Sequence, residues 1–442
     1  MNTVAKRSAF ALLILIAIGG GTYYLRGHGP AGNSAAVVLA FKTPQEKQDV
    51  YARFVMEGFD KISENYWAKT AEAGLAEHFQ LSAQKALDSA APPALATHDR
   101  AGAAAMVEAA LQTATSSEAK KKVALDTLIV ALYNLPPVGH AGLLSTKEET
   151  SFRQNVSNVN PGKDLYQDLG LAKGASETEV AQAYEAKAAA LKSATSSEAK
   201  AQLAQVEYAK KVLANPNTKD LYDAAQIEPS ADNKVMGKTL YVSLSKITPT
   251  SFIEFGRTIL AASTTPGLDS MVIDLRGNLG GALDFAANFL GLFIGNTQYA
   301  YDLFHQGEYA PQRTVQNKLP ELARYKDIAI LTDGMTQSTA EVTTAAMKRL
   351  RLAHVVGSAT RGWGTVENTF PLSTVIDPAE KYSMLLVHSL TLGDDNQPIQ
   401  DKGVLPDVDV KDPAWKSKLA EYFGNKSLIE AIQKAVAKPP LQ

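Results

Sequence analysis

Residues 272–281 have the sequence Val-Ile-Asp-Leu-Arg-Gly-Asn-Leu-Gly-Gly, an apolar run that passes into a glycine-rich turn. The run has the composition of a buried β-strand, and the apolar stretch that follows the glycines predicts a helix. Unshielded N–H groups at such a turn are able to face an anion. Glycines at a strand–helix junction also serve purely steric needs, so both interpretations stay open on this stretch alone.

A second strand–turn–helix unit lies downstream. The apolar run Ile328–Leu331 leads into Gln337-Ser338-Thr339-Ala340-Glu341 and a predicted helix. Ser338 and Glu341 have the spacing of a capping box, which by itself explains both residues. A serine at a helix N-terminus is also well placed for nucleophilic chemistry, because the helix dipole and the free amides favour a developing oxyanion.

Short β-rich runs alternate with helical stretches beyond residue 234, which predicts an α/β layered domain over residues 234–412. The runs are Thr239–Leu244, Ser270–Leu275, Asp327–Leu331 and His354–Val356. The patterns also predict an N-terminal helical region over residues 37–157 and a C-terminal helical tail over residues 413–442.

The composition excludes several classes of function. The 442 residues suffice for about three domains. The 44 basic and 46 acidic residues leave a net charge of -2 without a basic stripe, so we expect no nucleic-acid partner. The absence of cysteine excludes disulfides, thiol nucleophiles and thiolate metal sites. We expect no metal and no organic cofactor.

Several segments together resemble the C-terminal-processing (tail-specific) serine peptidases. They are residues 272–281, Ser338 to Glu341, Leu135-Pro136-Pro137-Val138-Gly139-His140-Ala141-Gly142-Leu143, Val355-Val356-Gly357, Gly362-x-Gly364-Thr365-Val366 and Gly403-Val404-Leu405-Pro406-Asp407. The resemblance implies a spiral α/β core of the ClpP/crotonase type, with Ser338 as the nucleophile. It also implies an oxyanion hole built from Gly280 or Gly281 together with Thr339. The implied reaction is hydrolysis of proteins, near unstructured C-terminal tails, through an acyl-enzyme.

The resemblance breaks at the general base. The family's lysine lies 25 residues after the serine, where this chain has Trp363, and the family's orienting glutamine is Glu367. An indole has no lone pair with which to accept a proton. In one interpretation His140 is the base, as the histidine is in the related tricorn-type peptidases, and Glu367 or Asp401 orients it. In the other, the protein is an inactive pseudopeptidase that keeps the peptide cleft as a scaffold or adaptor.

The N-terminus predicts a membrane anchor. Lys6 and Arg7 precede an apolar run that extends to Leu25, about one membrane crossing. We interpret residues 1–26 as a single transmembrane helix whose basic side is cytoplasmic. The body would then lie on the extracytoplasmic, periplasmic side of the inner membrane. A cleaved signal peptide is the alternative.

Residues 164–226 form a predicted helical module between two linker-like stretches. Its start, Asp164-Leu165-Tyr166-Gln167-Asp168-Leu169-Gly170-Leu171, and its end, Leu221-Tyr222-Asp223, resemble a J-domain. The loop that would carry His-Pro-Asp is Lys192-Ser193-Ala194, so we expect no stimulation of a heat-shock ATPase. A module that contacts a protein partner or holds substrate is one interpretation, and a compact helical hairpin without such a role is the other.

Overall fold

The computed structural model of the protein describes residues 49–89, 93–193 and 196–441. The membrane helix predicted at residues 1–26 lies outside the described residues. Within the described ranges, no helix combines the length and the apolarity that a membrane crossing requires.

The described chain begins with a helical layer, which confirms the predicted N-terminal helical region. Its helices are α1 (Val50–Asn65), α2 (Glu72–Ala86), α3 (Arg100–Gln112) and α4 (Ser117–Tyr133). The side chains of Asp49, Asp99 and Ser116 accept a backbone N–H at the starts of α1, α3 and α4, which satisfies donors that a helix leaves free. The layer shares one apolar core with Met384 and Leu386 of a later strand.

Strand β1 (Gly142–Ser145) and helix α5 (Thr146–Val156) connect this layer to a second set of helices. These are α6 (Leu165–Leu169), α7 (Glu177–Lys192), α8 (Ser197–Leu213) and α9 (Pro216–Ala225). They enclose a core of their own, which includes Tyr166, Val180 and Val206. The resemblance of this helical module to a J-domain stays a prediction.

Both ends of the helical module meet at one place. Val159 and Ile227 form an antiparallel β-bridge. Beside it, the Glu228 N–H donates to the Asn158 carbonyl over 3.0 Å. The module is therefore an insertion whose connections to the rest of the chain lie side by side.

The remaining chain alternates strands and helices. In order, it contains β2 (Ala231–Met236), β3 (Thr239–Leu244), α10 (Ser251–Ala262), β4 (Ser270–Asp274), α11 (Asp284–Ile294), β5 (Tyr299–His305), β6 (Glu308–Arg313), a 3₁₀ turn (Pro320–Arg324), β7 (Asp327–Thr332), α12 (Thr339–Arg349), β8 (His354–Gly357), β9 (Thr365–Pro371), β10 (Tyr382–Thr391), β11 (Val408–Asp409), α13 (Trp415–Tyr422) and α14 (Lys426–Val436). The predicted strands all form, with ends within one residue of the predicted ones.

The main sheet has the strand order β11-β8-β7-β4-β3-β2 and is parallel except for the edge strand β2. Every residue of β3 and β4 is buried, as expected for parallel strands covered on both faces. Alternate side chains face opposite cores. Val242 and Ile273 pack in the core with α10 and α11, whereas Tyr241 and Val272 pack in the core with α13 and α14. The predicted α/β class is confirmed.

The second sheet brings the N-terminal segment to the α/β domain. Its order is β1-β10-β5-β6, and β9 also pairs with β10. Both β1 and β9 thus pair with β10, which places His140, just before β1, in the same region as the start of β9.

Strand β4, which leads into the glycine-rich turn, is fixed to the C-terminal helix α14. The fully buried Asp274 accepts from Tyr241 Oη over 2.6 Å and pairs with Arg276. The guanidinium of Arg276 also donates to the carbonyls of Ala435 and Lys438, over 3.1 and 3.0 Å. The glycine turn therefore leaves the sheet from a strand end that is tightly held.

Candidate active site

Ser338 lies at the turn between β7 and α12. Its backbone has φ +56° and ψ -126°, a combination that costs a non-glycine residue about 1–3 kcal/mol and is characteristic of functional sites. Its N–H donates to Glu341 Oε2 over 2.8 Å. The turn thus holds the serine in a strained conformation at the first turn of the helix.

Glu341 is fully buried and accepts four hydrogen bonds. Oε2 accepts the N–H groups of Ser338 and Trp363, and Oε1 accepts the Gly362 N–H over 2.7 Å and the Thr360 hydroxyl over 2.5 Å. Burial raises the pKa of Glu341, and the hydrogen bonds oppose that rise. The carboxylate therefore does more than cap α12, because it also holds the loop that carries Trp363.

The glycine turn lies against the serine. A Cβ on Gly280 would be 2.6 Å from Ser338 Cβ and 3.0 Å from the Thr339 nitrogen, so a side chain has no room there. A Cβ on Gly281 would be 1.8 Å from the Ile247 carbonyl oxygen. Gly280 is therefore needed for the close approach of the two turns, and Gly281 for the close approach to Ile247.

The hydrogen bonds of these turns distinguish the backbone amide of Gly280 from that of Gly281. The Gly280 N–H donates to Asn278 Oδ1 over 2.8 Å and is thereby occupied. Thr339 Oγ1 donates to the Gly281 carbonyl over 2.9 Å. The N–H groups of Gly281 and Thr339 have no acceptor within the described ranges. Of the two glycines that the resemblance allowed, Gly281 has the available amide.

His140 packs against the ring of Trp363, at the position where the resemblance implies a lysine. The ring centroids are 3.8 Å apart and the planes differ by 21°. The Trp363 Nε1 donates to Glu367 Oε1 over 3.2 Å. The side chains of His140 and Glu367 are only 9% and 18% exposed, so the imidazole is held in place by stacking and burial.

The hydrogen-bond partners of His140 assign the tautomer of its neutral ring. The Thr365 hydroxyl donates its one proton to Glu367 Oε1. The Thr365 oxygen is therefore left as an acceptor for Nδ1 of His140, which lies 2.8 Å away. Glu367 Oε1 itself is 3.6 Å from the same Nδ1. In the neutral imidazole the proton is on Nδ1, and Nε2 has the lone pair that a general base needs.

The structure brings most of the sequence-predicted site residues together, but not all. Ser338 and His140 are linked through Glu341 and Trp363 and share no hydrogen bond. Within the described parts of the chain, His140 Nε2 has no hydrogen-bond partner, and no hydrogen bond joins it to Ser338 Oγ. Asp401 is exposed, its carboxylate accepts from Gln400 Nε2 over 2.9 Å, and it makes no contact with His140. Glu367 is thus the acidic residue beside the histidine.

The roles of two residues in this arrangement were missed from the sequence. Thr365 precedes Glu367 by two positions on β9, so the period of a strand could have placed both side chains on one face. The role of Glu341 as the acceptor for the loop at residues 360–363 has no local signal, because the loop lies about twenty residues away in sequence.

Part of the chain is similar in sequence to known serine peptidases. Residues 238–410 match the model of Peptidase family S41. A probable CtpA-like serine protease of Staphylococcus aureus (strain N315) is 32% identical over 190 residues, which cover 42% of this chain and 36% of that protein. One of Staphylococcus saprophyticus is 32% identical over 152 residues, covering 34% of this chain and 29% of that protein. The match spans about a third of the length of these relatives.

Two solved structures match the chain at low sequence identity and low TM-score. The photosystem II D1 C-terminal processing protease has a TM-score of 0.46 at 13% identity, covering 82% of this chain and 93% of that one. The tricorn protease has a TM-score of 0.38 at 12% identity, covering 88% of this chain and 37% of that one.

Proposed function

Because residues 238–410 of the chain belong to peptidase family S41, we propose that the protein is a serine peptidase that hydrolyses peptide bonds through an acyl-enzyme on Ser338. His140 takes the place of the family's lysine as the general base. Glu367 orients His140 through Thr365, and the amides of Gly281 and Thr339 form the oxyanion hole.

One observation carries this proposal: His140 Nδ1 lies 2.8 Å from Thr365 Oγ1, whose hydroxyl donates to Glu367, and this assigns the His140 proton to Nδ1. An imidazole whose Nδ1–H donates to a hydroxyl that is itself bonded to a carboxylate, and whose Nε2 is free, is oriented to act as a base toward a serine hydroxyl. The Trp363 ring supports it, since the residue that removes the lysine also supplies the surface on which the imidazole lies.

The proposed roles define the steps of the reaction. His140 Nε2 takes the proton of Ser338 Oγ as the oxygen bonds to the substrate carbonyl carbon, and the carbonyl oxygen gains the negative charge. The amides of Gly281 and Thr339 stabilise that charge. His140 then returns the proton to the leaving amine as the C–N bond breaks. Water then attacks the acyl carbon while His140 Nε2 takes its proton, the bond from that carbon to Ser338 Oγ breaks, and His140 returns the proton to Oγ.

The test uses a fluorophosphonate probe, which reacts quickly only with an activated serine. We expect the purified protein to be labelled at Ser338 and to hydrolyse an unstructured polypeptide, and the Ser338→Ala variant to do neither. An unlabelled parent protein with normal unfolding behaviour would contradict the proposal.

We place this activity at a membrane and outside the cytoplasm, on proteins or their C-terminal tails. The support is the apolar run after Lys6 and Arg7 and the resemblance to tail-specific peptidases. Fractionation of cells that produce the full chain tests the location: we expect it in the inner-membrane fraction, and accessible to protease added to spheroplasts. Recovery of the full-length chain in the cytoplasmic fraction would contradict it.

A second candidate function is a pseudopeptidase that binds peptides without cleaving them. The observation in its favour is the missing hydrogen bond between Ser338 and His140, together with Trp363 at the lysine position. Retained binding of a peptide, with neither labelling nor hydrolysis in the parent protein, would favour this function.

A further inference from the structure

The helical module has a cleft that the proposed chemistry does not use. It encloses about 430 Å³ between the end of α6, the second half of α7 and the middle of α8. The lining residues are Asp168, Lys187, Ala190, Leu191, Gln202, Gln205 and Val206. Its wall combines three apolar side chains with two amides and two charged groups, so it offers both apolar surface and polar partners to a ligand.

The cleft contains a carboxylate oxygen without a partner. Oδ2 of Asp168 is buried and has no hydrogen bond within the described residues. Such an atom costs free energy unless a donor reaches it. Burial also raises the pKa of Asp168. The cleft therefore favours a ligand that brings an N–H group.

The cleft also contains an ammonium group that forms no ion pair with a described residue, although the Asp168 carboxylate is near enough to interact with it electrostatically. Lys187 Nζ donates to the backbone carbonyl of Asp168 over 2.7 Å. It forms no ion pair with the Asp168 carboxylate, nor with any other acid in the described part of the chain. An ammonium has three donor positions, so two remain for an anion.

We propose that this cleft binds a polypeptide segment in which a carboxylate, an N–H group and an apolar side chain lie close together. The carboxylate contacts Lys187, the N–H donates to Asp168 Oδ2, and the apolar side chain packs on Leu191 and Val206. Gln202 and Gln205 offer amides that pair with main-chain groups. The carboxylate comes from a chain terminus or from an acidic side chain.

This inference rests on the proposed function in one respect: the bound segment is assumed to belong to a substrate of the peptidase. The test therefore measures binding in the Ser338→Ala variant of the full chain, by fluorescence anisotropy, so that absent catalysis does not affect the result. The probes are three fluorescein-labelled Gly/Ser peptides. The first ends in Leu-Ala-Leu with a free carboxylate, the second is its C-terminal amide, and the third is amidated with an internal Glu beside a Leu.

We expect the amide without Glu to bind about tenfold more weakly than the free acid, or not at all. Tight binding of the free acid alone assigns the carboxylate to the chain terminus, and equally tight binding of the third peptide assigns it to side chains as well. Equal affinity for all three peptides, with or without a carboxylate, would overturn the proposal.

Variants of the cleft give a second measurement. Asp168→Asn and Lys187→Met each remove one charged partner, and we expect each to weaken binding of the free acid about tenfold. Ala190→Trp fills the cleft from an exposed position without removing a polar group. Glu185→Gln is the matched control, because Glu185 is an exposed acid of the same module outside the cleft. Unchanged binding in Asp168→Asn and in Ala190→Trp would also overturn the proposal.

Discussion

The backbone N–H groups of Ser338 and Trp363 donate to a single atom, Oε2 of Glu341, each over 2.8 Å. Because that oxygen is buried, a shift of the serine turn relative to the Trp363 loop would leave at least one buried donor unpaired. The Trp363 ring in turn lies on His140. One carboxylate therefore sets the relative position of the proposed nucleophile and the proposed base.

Replacing His140 tests the identity of the base. We expect His140→Ala to lower hydrolysis of an unstructured peptide by about 10³-fold, close to the effect of Ser338→Ala, because members of one proton-transfer unit are strongly non-additive. Trp363→Phe keeps an aromatic surface and should be mild by comparison. His98→Ala, at an exposed position, is the control. Full activity in His140→Ala beside an inactive Ser338→Ala would show that another group is the base.

Replacing Glu341 tests whether this residue only caps α12 or also holds the Ser338 turn and the Trp363 loop together. In Glu341→Gln the amide NH₂ faces some of the N–H donors that the carboxylate accepts, so we expect a loss of about 2–4 kcal/mol in the free energy of unfolding, together with loss of Ser338 labelling. Glu179→Gln is matched, since Glu179 accepts the Ser176 N–H over 2.7 Å in an exposed capping box. It should cost about 1 kcal/mol or less. Equal losses in urea titrations would mean that Glu341 only caps its helix.

Replacing Thr365 tests the imposed tautomer. Thr365→Val removes the hydroxyl that joins His140 to Glu367, and we expect kcat to fall about 10- to 100-fold with little change in KM. Thr365→Ser restores the hydroxyl and should recover most of the rate. The ¹⁵N spectrum of the parent should show the proton on Nδ1 of His140, and that signal should change in the valine variant. A serine variant as slow as the valine variant would argue against the hydroxyl contact.

The stability of the protein should depend on pH through His388. Burial, with a contribution from the stacked His305, lowers the pKa of His388 from 6.5 to about 4. The unfolded chain binds this proton more readily, so the stabilisation is complete above pH 6.5 and is lost as the pH falls toward 4. Between pH 7 and pH 5 we expect a loss of about 1–2 kcal/mol, since partial exposure screens the effect.

Urea unfolding of the parent and of His388→Gln at these two pH values checks this expectation. The variant cannot bind the proton, so its free energy of unfolding should change less between the two. An equal change in the free energy of unfolding between the two pH values in parent and variant would show that His388 titrates normally in the folded protein.

The sequence was informative where local chemistry determines structure. The apolar runs that became β3, β4, β7 and β8 were recognisable because parallel strands buried on both faces are continuously apolar. The start of α12 was recognisable from Ser338 and Glu341, since capping depends on residues three apart. These features need no knowledge of distant parts of the chain.

The candidate site was less accessible from sequence because its contacts join distant segments. The proximity of His140 to Glu367, rather than to Asp401, depends on β1 and β9 both pairing with β10. The choice of Gly281 over Gly280 depends on Asn278, whose side chain occupies the Gly280 amide. Trp363 marked the loss of the lysine, but its stacking on His140 required the folded chain.

The bridge between Val159 and Ile227 makes the helical module exchangeable in the manner of a cassette. Because the chain leaves and returns at one point, removing the intervening residues and closing the gap with a short turn would leave the path of every strand in both sheets unchanged. Asn158 and Glu228 thus mark the two points between which the module can be removed or replaced. Gene rearrangement or protein engineering could fit a different recognition domain there while keeping the same α/β core.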